Sequence, residues 1–101
     1  MTIRELLQST GGKPTLIKLE KNNCPRCRFL ELGLTHANLG LPVKHVKLEE
    51  VGREIFDELS ISMAPALLLV DQNEILAKHL GPMTATQINQ FLEGAKNGQK
   101  A

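Results

Sequence analysis

Apolar positions along this 101-residue chain change period several times, and each change marks an element. Ile3, Leu6 and Leu7 fall on one side of a short helix, which Thr2-Ile3-Arg4-Glu5 opens as a capping box and Gly11-Gly12 ends. Thr15 to Glu20 reads as a strand, although the adjacent Leu16 and Ile17 spoil strict alternation. Asn22-Asn23 breaks the chain. From Pro25 to about Leu39, Cys27, Leu30, Leu34 and Ala37 recur at helical steps and give one buried stripe, with Gly40 as the stop. Pro42 to Leu48 alternates as a strand does. Val51, Ile55 and Leu59 form the apolar face of a third helix, whose first turn Gly52 weakens. Pro65 to Val70 is continuously apolar, the pattern of a strand covered on both faces. Asp71-Gln72-Asn73-Glu74 is a turn, and Ile75 to Leu80 is the returning hairpin strand. Thr84-Ala85-Thr86-Gln87 is a second capping box. Ile88, Phe91, Leu92 and Ala95 line a last amphipathic helix, and Gly94 to Ala101 reads as a frayed polar tail.

The order α-β-α-β-α-β-β-α predicts an α/β fold with one mixed four-stranded sheet and helices on both faces. Its βαβ start requires a parallel pair with a right-handed crossover, and the final hairpin adds antiparallel strands. The length suits one domain, placed at residues 1–95 with a polar tail over 96–101. Three Phe residues are the only aromatics, so Leu, Ile and Val must build the core. A formal net charge of +1 gives no basis for a nucleic-acid or anionic-membrane partner. The longest apolar run, Ala64 to Val70, contains Pro65 and is too short to span a membrane. Met1-Thr2-Ile3-Arg4-Glu5 lacks the basic and apolar regions of a signal peptide, so the expected home is the reducing cytoplasm. In that setting a lone cysteine pair is expected to be reactive rather than structural.

Cys24-Pro25-Arg26-Cys27 contains both cysteines. Pro25 has a helical φ and no amide hydrogen to lose, so it suits the first position of a helix. Cys24 then becomes the N-cap, where the helix dipole and free amides favour a thiolate. Cys27 lies one turn on, within reach of a disulfide. Cys24 is placed to attack and Cys27, at the head of the apolar stripe, to resolve as the more buried thiol. Lys21, Arg26 and Arg28 add positive charge nearby. Arg26 either steers acidic substrates and steadies the thiolate or is simply solvated. Two cysteines with His36, His45 and His79 could in principle bind zinc, but no histidine is near the cysteines in sequence, and solvated or hydrogen-bonded roles fit better.

These features together resemble the thioredoxin and glutaredoxin superfamily over roughly residues 2 to 95. Three motifs carry the resemblance: the CxxC between a strand and a helix, the segment Ile61-Ser62-Met63-Ala64-Pro65-Ala66 leading into a buried strand, and the hairpin ending in Leu80-Gly81 before a last helix. The resemblance implies a thiol–disulfide oxidoreductase with a redox-active Cys24–Cys27 pair. It implies a cis bond before Pro65, against the cysteines, whereas the residues alone equally allow a trans proline opening an edge strand. It also implies that Ala64 offers its backbone to an extended substrate, a peptide or glutathione, in a short β-like contact. The Cys-Pro-x-Cys loop is similar to that of glutaredoxins, and by the same likeness Lys21 would meet a glutathione carboxylate.

Glutaredoxins, however, carry an aromatic where Arg26 stands and an acid in the turn that here reads Gly81-Pro82-Met83-Thr84, so specific glutathione binding is expected to be weak or absent. Thioredoxins carry a tryptophan where Asn23 stands and a buried aspartate where Lys18 stands. Lys18 either substitutes for that acid or snorkels to water. The expected protein is a monomer, with protein disulfides as substrates and a reductase or glutathione as electron donor. No bound metal or organic cofactor is expected. A glutathione-dependent glutaredoxin and a thioredoxin-fold binding module or iron–sulfur carrier are the alternatives.

Overall fold

Leu16, Ile17, Leu19, Ala66, Leu67, Leu68 and Val70 are fully buried, which requires that both of their strands have neighbours on either side and cover on both faces. The computed structural model, which describes residues 2–98, supplies that arrangement. Helix α1 (Ile3–Gln8) precedes strand β1 (Thr15–Glu20), α2 (Pro25–His36) and β2 (Val43–Lys47). Two short helices, α3 (Leu48–Val51) and α4 (Arg53–Glu58), lead to β3 (Ala66–Asp71), β4 (Glu74–Leu80) and α5 (Ala85–Gly98). The sheet order is β2-β1-β3-β4. β1 runs parallel to β2 and antiparallel to β3, which pairs antiparallel with β4.

Adjacent apolar residues on β1 are therefore no defect. Ile17 and Leu19 face one layer with Leu6, Val51, Ile55 and Phe56. Leu16 faces the other, with Leu30, Leu34, Met83 and Ile88. β3 divides likewise, Ala66, Leu68 and Val70 against Leu67 and Leu69, as the period of two demands. So α1, α3 and α4 cover one face, while α2 and α5 cover the other.

Three expected boundaries moved. The third helix breaks in two at Gly52, whose φ of 85° closes α3 through a bond from its amide to the Leu48 carbonyl. α2 stops at His36 rather than Leu39, because Ala37 turns extended with ψ of 155°. Gly40 lies in the loop that follows. The expected frayed tail from Gly94 is instead helical through Gly98, since no crowding or proline interrupts the ladder there; residues 99–101 lie outside the described residues. Both capping boxes form as read: Thr2 with Glu5, and Thr84 with Gln87.

α2 approaches α5 closely because Gly33 has no Cβ. A methyl group there would strike the Met83 carbonyl oxygen and lie 3.0 Å from Cδ1 of Ile88 and 3.3 Å from the Thr84 carbonyl carbon. Backbone cannot yield as a flexible side chain does. Gly33→Ala is expected to lower stability by roughly 1–3 kcal/mol despite its better helix propensity. A urea midpoint at or above that of the parent chain would contradict this packing account.

Candidate functional site

The site begins where β1 ends. Asn23 adopts a left-handed conformation, φ 54°, which asparagine tolerates better than most residues. That turn places Cys24 in extended geometry at the N-cap of α2, with Pro25 opening the helix. The amide of Cys27 donates to Sγ of Cys24 at 3.1 Å, so the sulfur does the work of a capping oxygen. The two cysteines form a disulfide with their Cα atoms 5.2 Å apart, inside the ordinary range for such bonds. Cys27 is 3% exposed and Cys24 6%, so Cys27 is the more buried residue as expected, by a small margin.

Glu49 of α3 fixes the approach to this turn. Its carboxylate accepts the amide of Asn22 through both oxygens, at 3.3 and 3.1 Å. Its own backbone amide, and then that of Asn22, hold the Glu49 carboxyl below the usual carboxylate range, with Lys47 and Lys21 adding to the effect. Nothing in the local sequence announces this contact, which joins residues 27 apart.

The Ala64–Pro65 peptide is cis, as the resemblance implied. Pro65 is fully buried, and its carbonyl accepts the Gly81 amide at 2.8 Å. Neither backbone group of Ala64 bonds to another described residue. Ala64 and Met63 line one wall of a groove of about 370 Å³, and Cys24, Pro25, Arg26 and Lys21 line the other. Of the candidate residues read from the sequence, Lys21, Cys24, Pro25, Arg26 and Ala64 line this groove, Cys27 is bonded to Cys24 behind it, and Pro65 follows Ala64 in the chain. Met63 is 40% exposed and leaves an apolar rim beside two cations. A larger cavity of about 720 Å³ lies elsewhere, between Leu41, Leu76 and Leu92, and touches neither cysteine.

A second pocket of about 290 Å³ borders both cysteines and is lined otherwise by charged and polar residues. Lys18 does not snorkel to water, which corrects one of the two expectations for it. Its strand is interior, and the residue is 2% exposed. Nζ binds Glu31 Oε2 at 2.8 Å and stands 3.6 Å from Glu20 Oε2. Glu20 in turn meets Nδ1 of His45 at 3.0 Å. This network could not be seen in the linear sequence, because it needs the register that sets Lys18 opposite His45. His36 is exposed, and His79 makes an edge contact with Phe91. Among the described residues no three His, Cys, Asp or Glu side chains are arranged to hold a metal ion.

The lowered Glu49 carboxyl carries a sign. Its bond to Asn22 contributes stability above the carboxyl's unfolded pKa and loses it as pH falls through the depressed folded value. Glu49→Ala is expected to speed hydrogen exchange at the Asn22 amide several-fold, relative to its intrinsic rate, with no change at core amides of β3. Unchanged exchange at Asn22 would show that the clamp does not hold in solution.

No protein-family model matches the sequence, and no curated protein sequence matches it. Solved structures do resemble it. Thioredoxin from Aeropyrum pernix aligns with a TM-score of 0.70 at 15% identity, over 93% of this chain and 83% of its own. The short form of thioredoxin f from spinach chloroplast gives 0.68 at 15% identity, over 91% and 84% respectively. Trxlp from Edwardsiella tarda gives 0.66 at 22% identity, over 87% and 88%. The chain thus has the thioredoxin-like fold, an α/β fold with a mixed four-stranded sheet, and carries a CxxC disulfide at the start of its second helix, an arrangement consistent with thiol–disulfide exchange.

Proposed function

We propose that this protein is a thiol–disulfide oxidoreductase that exchanges a disulfide with protein substrates through Cys24 and Cys27. The observation that carries the reading is the capping bond from the Cys27 amide to Sγ of Cys24. The same donor favours a negative sulfur at that position once the disulfide is reduced, as does the N-terminal end of the α2 dipole.

In the reduced protein the Cys24 thiolate attacks one sulfur of a substrate disulfide. The substrate bond breaks, one substrate thiolate leaves and takes a proton from water, and Cys24 is left in a mixed disulfide. Cys27 then loses its proton and attacks Sγ of Cys24, which restores the Cys24–Cys27 bond and frees the second substrate thiol. Two electrons pass from protein to substrate. A reductase or glutathione returns them.

The groove beside Cys24 supports a peptide substrate. An extended segment beside Ala64 can use that residue's N–H and C=O, which bond to no other described residue, as a strand would. Arg26 and Lys21 offer positive charge to an acidic flank, and Met63 offers an apolar contact. A glutathione-dependent reading has Lys21 in its favour, since that cation borders Cys24. It lacks an acid for the glutathione ammonium in the turn before α5. There Met83 is buried, and Thr84 is occupied as a helix cap.

Cys24→Ser is expected to abolish turnover, whereas Cys27→Ser accumulates a mixed disulfide on Cys24, read by mass spectrometry of the non-reduced protein. Persistence of turnover in Cys24→Ser would remove the assignment. Reduction of insulin with dithiothreitol as donor should outpace reduction of a glutathione mixed disulfide in a glutathione-coupled assay. The reverse order would favour the glutaredoxin reading.

A further inference from the structure

We propose that Lys18 is the positioning residue of the resolving step: its buried ammonium, held under the first turns of α2 by Glu31 and Glu20, stabilises the Cys27 thiolate that attacks the mixed disulfide. The inference rests on the exchange reading above and adds a residue to its second half.

Lys18 is the one charged side chain among the described residues with less than a tenth of its surface exposed. A buried ammonium is costly unless it is paired, and an apolar residue of equal volume would fill the site without that cost. Geometry shows what lies beside it. Lys18 occupies the face of β1 that α2 covers, and Nζ bonds to Glu31, four residues after Cys27 on the same helix face. Side chains on a helix lean toward its N-terminus, so the Glu31 carboxylate reaches back toward the turn that carries Cys27. Lys18, Glu31 and both cysteines border one pocket of about 290 Å³.

The other charges around that pocket must be weighed. β1 contributes Lys18 and Glu20, the following loop Lys21, α2 Arg28 and Glu31, and β2 His45 and Lys47. Four cations therefore face two carboxylates when His45 is neutral. Screening sharpens the difference. The Glu31 and His45 side chains are each 45% exposed and that of Glu20 is 16% exposed, against 3% for Lys18. Water weakens the fields of the exposed groups far more than that of the buried one. The charge that Cys27 senses with least screening is thus positive.

The chemical consequence falls on one step. Cys27 gives its proton to water at the mouth of the pocket, and the thiolate attacks Sγ of Cys24. The bond between Cys24 and the substrate sulfur breaks. Its electron pair leaves on the substrate thiolate, which takes a proton from water. A cation beside Cys27 raises the fraction ionised at neutral pH. That gain exceeds the accompanying loss of nucleophilicity as long as the thiol still titrates above the ambient pH.

The test uses Lys18→Met, Lys18→Arg and Glu31→Gln, each made in the full chain and again with Cys24→Ser. In the Cys24→Ser series, thiolate absorbance against pH reports Cys27 alone. Lys18→Met is expected to move that titration upward by about one pH unit, Lys18→Arg by much less, and Glu31→Gln to move it downward. Release of a chromogenic thiol from a preformed mixed disulfide on Cys24 should slow by about tenfold at neutral pH in Lys18→Met and recover at alkaline pH. The initial attack by Cys24 should change by less than about threefold. An unmoved or lowered Cys27 titration in a natively folded Lys18→Met would overturn the proposal. If that variant does not fold, an upward shift in Glu31→Gln overturns it equally. A raised titration in a chain that turns over no disulfide would instead refute the exchange reading and leave the electrostatic coupling standing.

Discussion

One backbone amide organises this molecule's chemistry. The N–H of Cys27 must find an acceptor, because the first turn of a helix has no internal partner for it. Sγ of Cys24 provides one at 3.1 Å. That requirement ties the sulfur to the positive end of α2, and Pro25 removes the competing donor at the first helical position. The rest of the site follows from holding this cap still. Asn23 makes the turn, Glu49 grips the amide of Asn22, and Met63 and Ala64 line the other wall of the groove. A helix start left loose would present the same residues without the same field.

The sheet makes such rigidity possible. β1 and β3 are interior strands, and the loops at their ends inherit positions fixed by two hydrophobic layers. Cys24 follows β1 closely, and Pro65 immediately precedes β3. Because β1 and β3 are antiparallel neighbours, the end of one and the start of the other meet at the same edge of the sheet, with Leu19 opposite Ala66. Residues about forty positions apart in the chain become two walls of one groove by register alone. Burial of β1 also determines the character of Lys18, which a solvent-facing strand would have left in water.

Much of this was legible because local rules and tertiary structure agreed. Both capping boxes, the CxxC helix start and the continuous apolar run of β3 are short-range patterns with a single sensible outcome. The fold class follows from element order, and Lys21, Cys24, Pro25, Arg26 and Ala64 line one groove. What escaped were contacts set by pairing. The Lys18–Glu31 bond joins β1 to α2, and Glu49 reaches Asn22 from another helix. In the linear pattern Gly52 only weakens one helix, yet its positive φ ends the helix outright. α2 stopped short of Leu39 because Ala37 turned extended, a choice that no residue in the Ala37–Leu39 stretch dictates. The chemistry-bearing residues were visible singly; their electrostatic coupling needed three dimensions.

The central claim is that the α2 N-terminus makes Cys24 the ionised, attacking thiol. It is tested most directly by alkylating the reduced wild-type protein across a pH series and locating the label by peptide mass. The account predicts that Cys24 is modified first, and that its rate titrates below the roughly 8.5 of a free cysteine thiol. Faster labelling of Cys27, or a Cys24 titration at or above the free-thiol value, would contradict it.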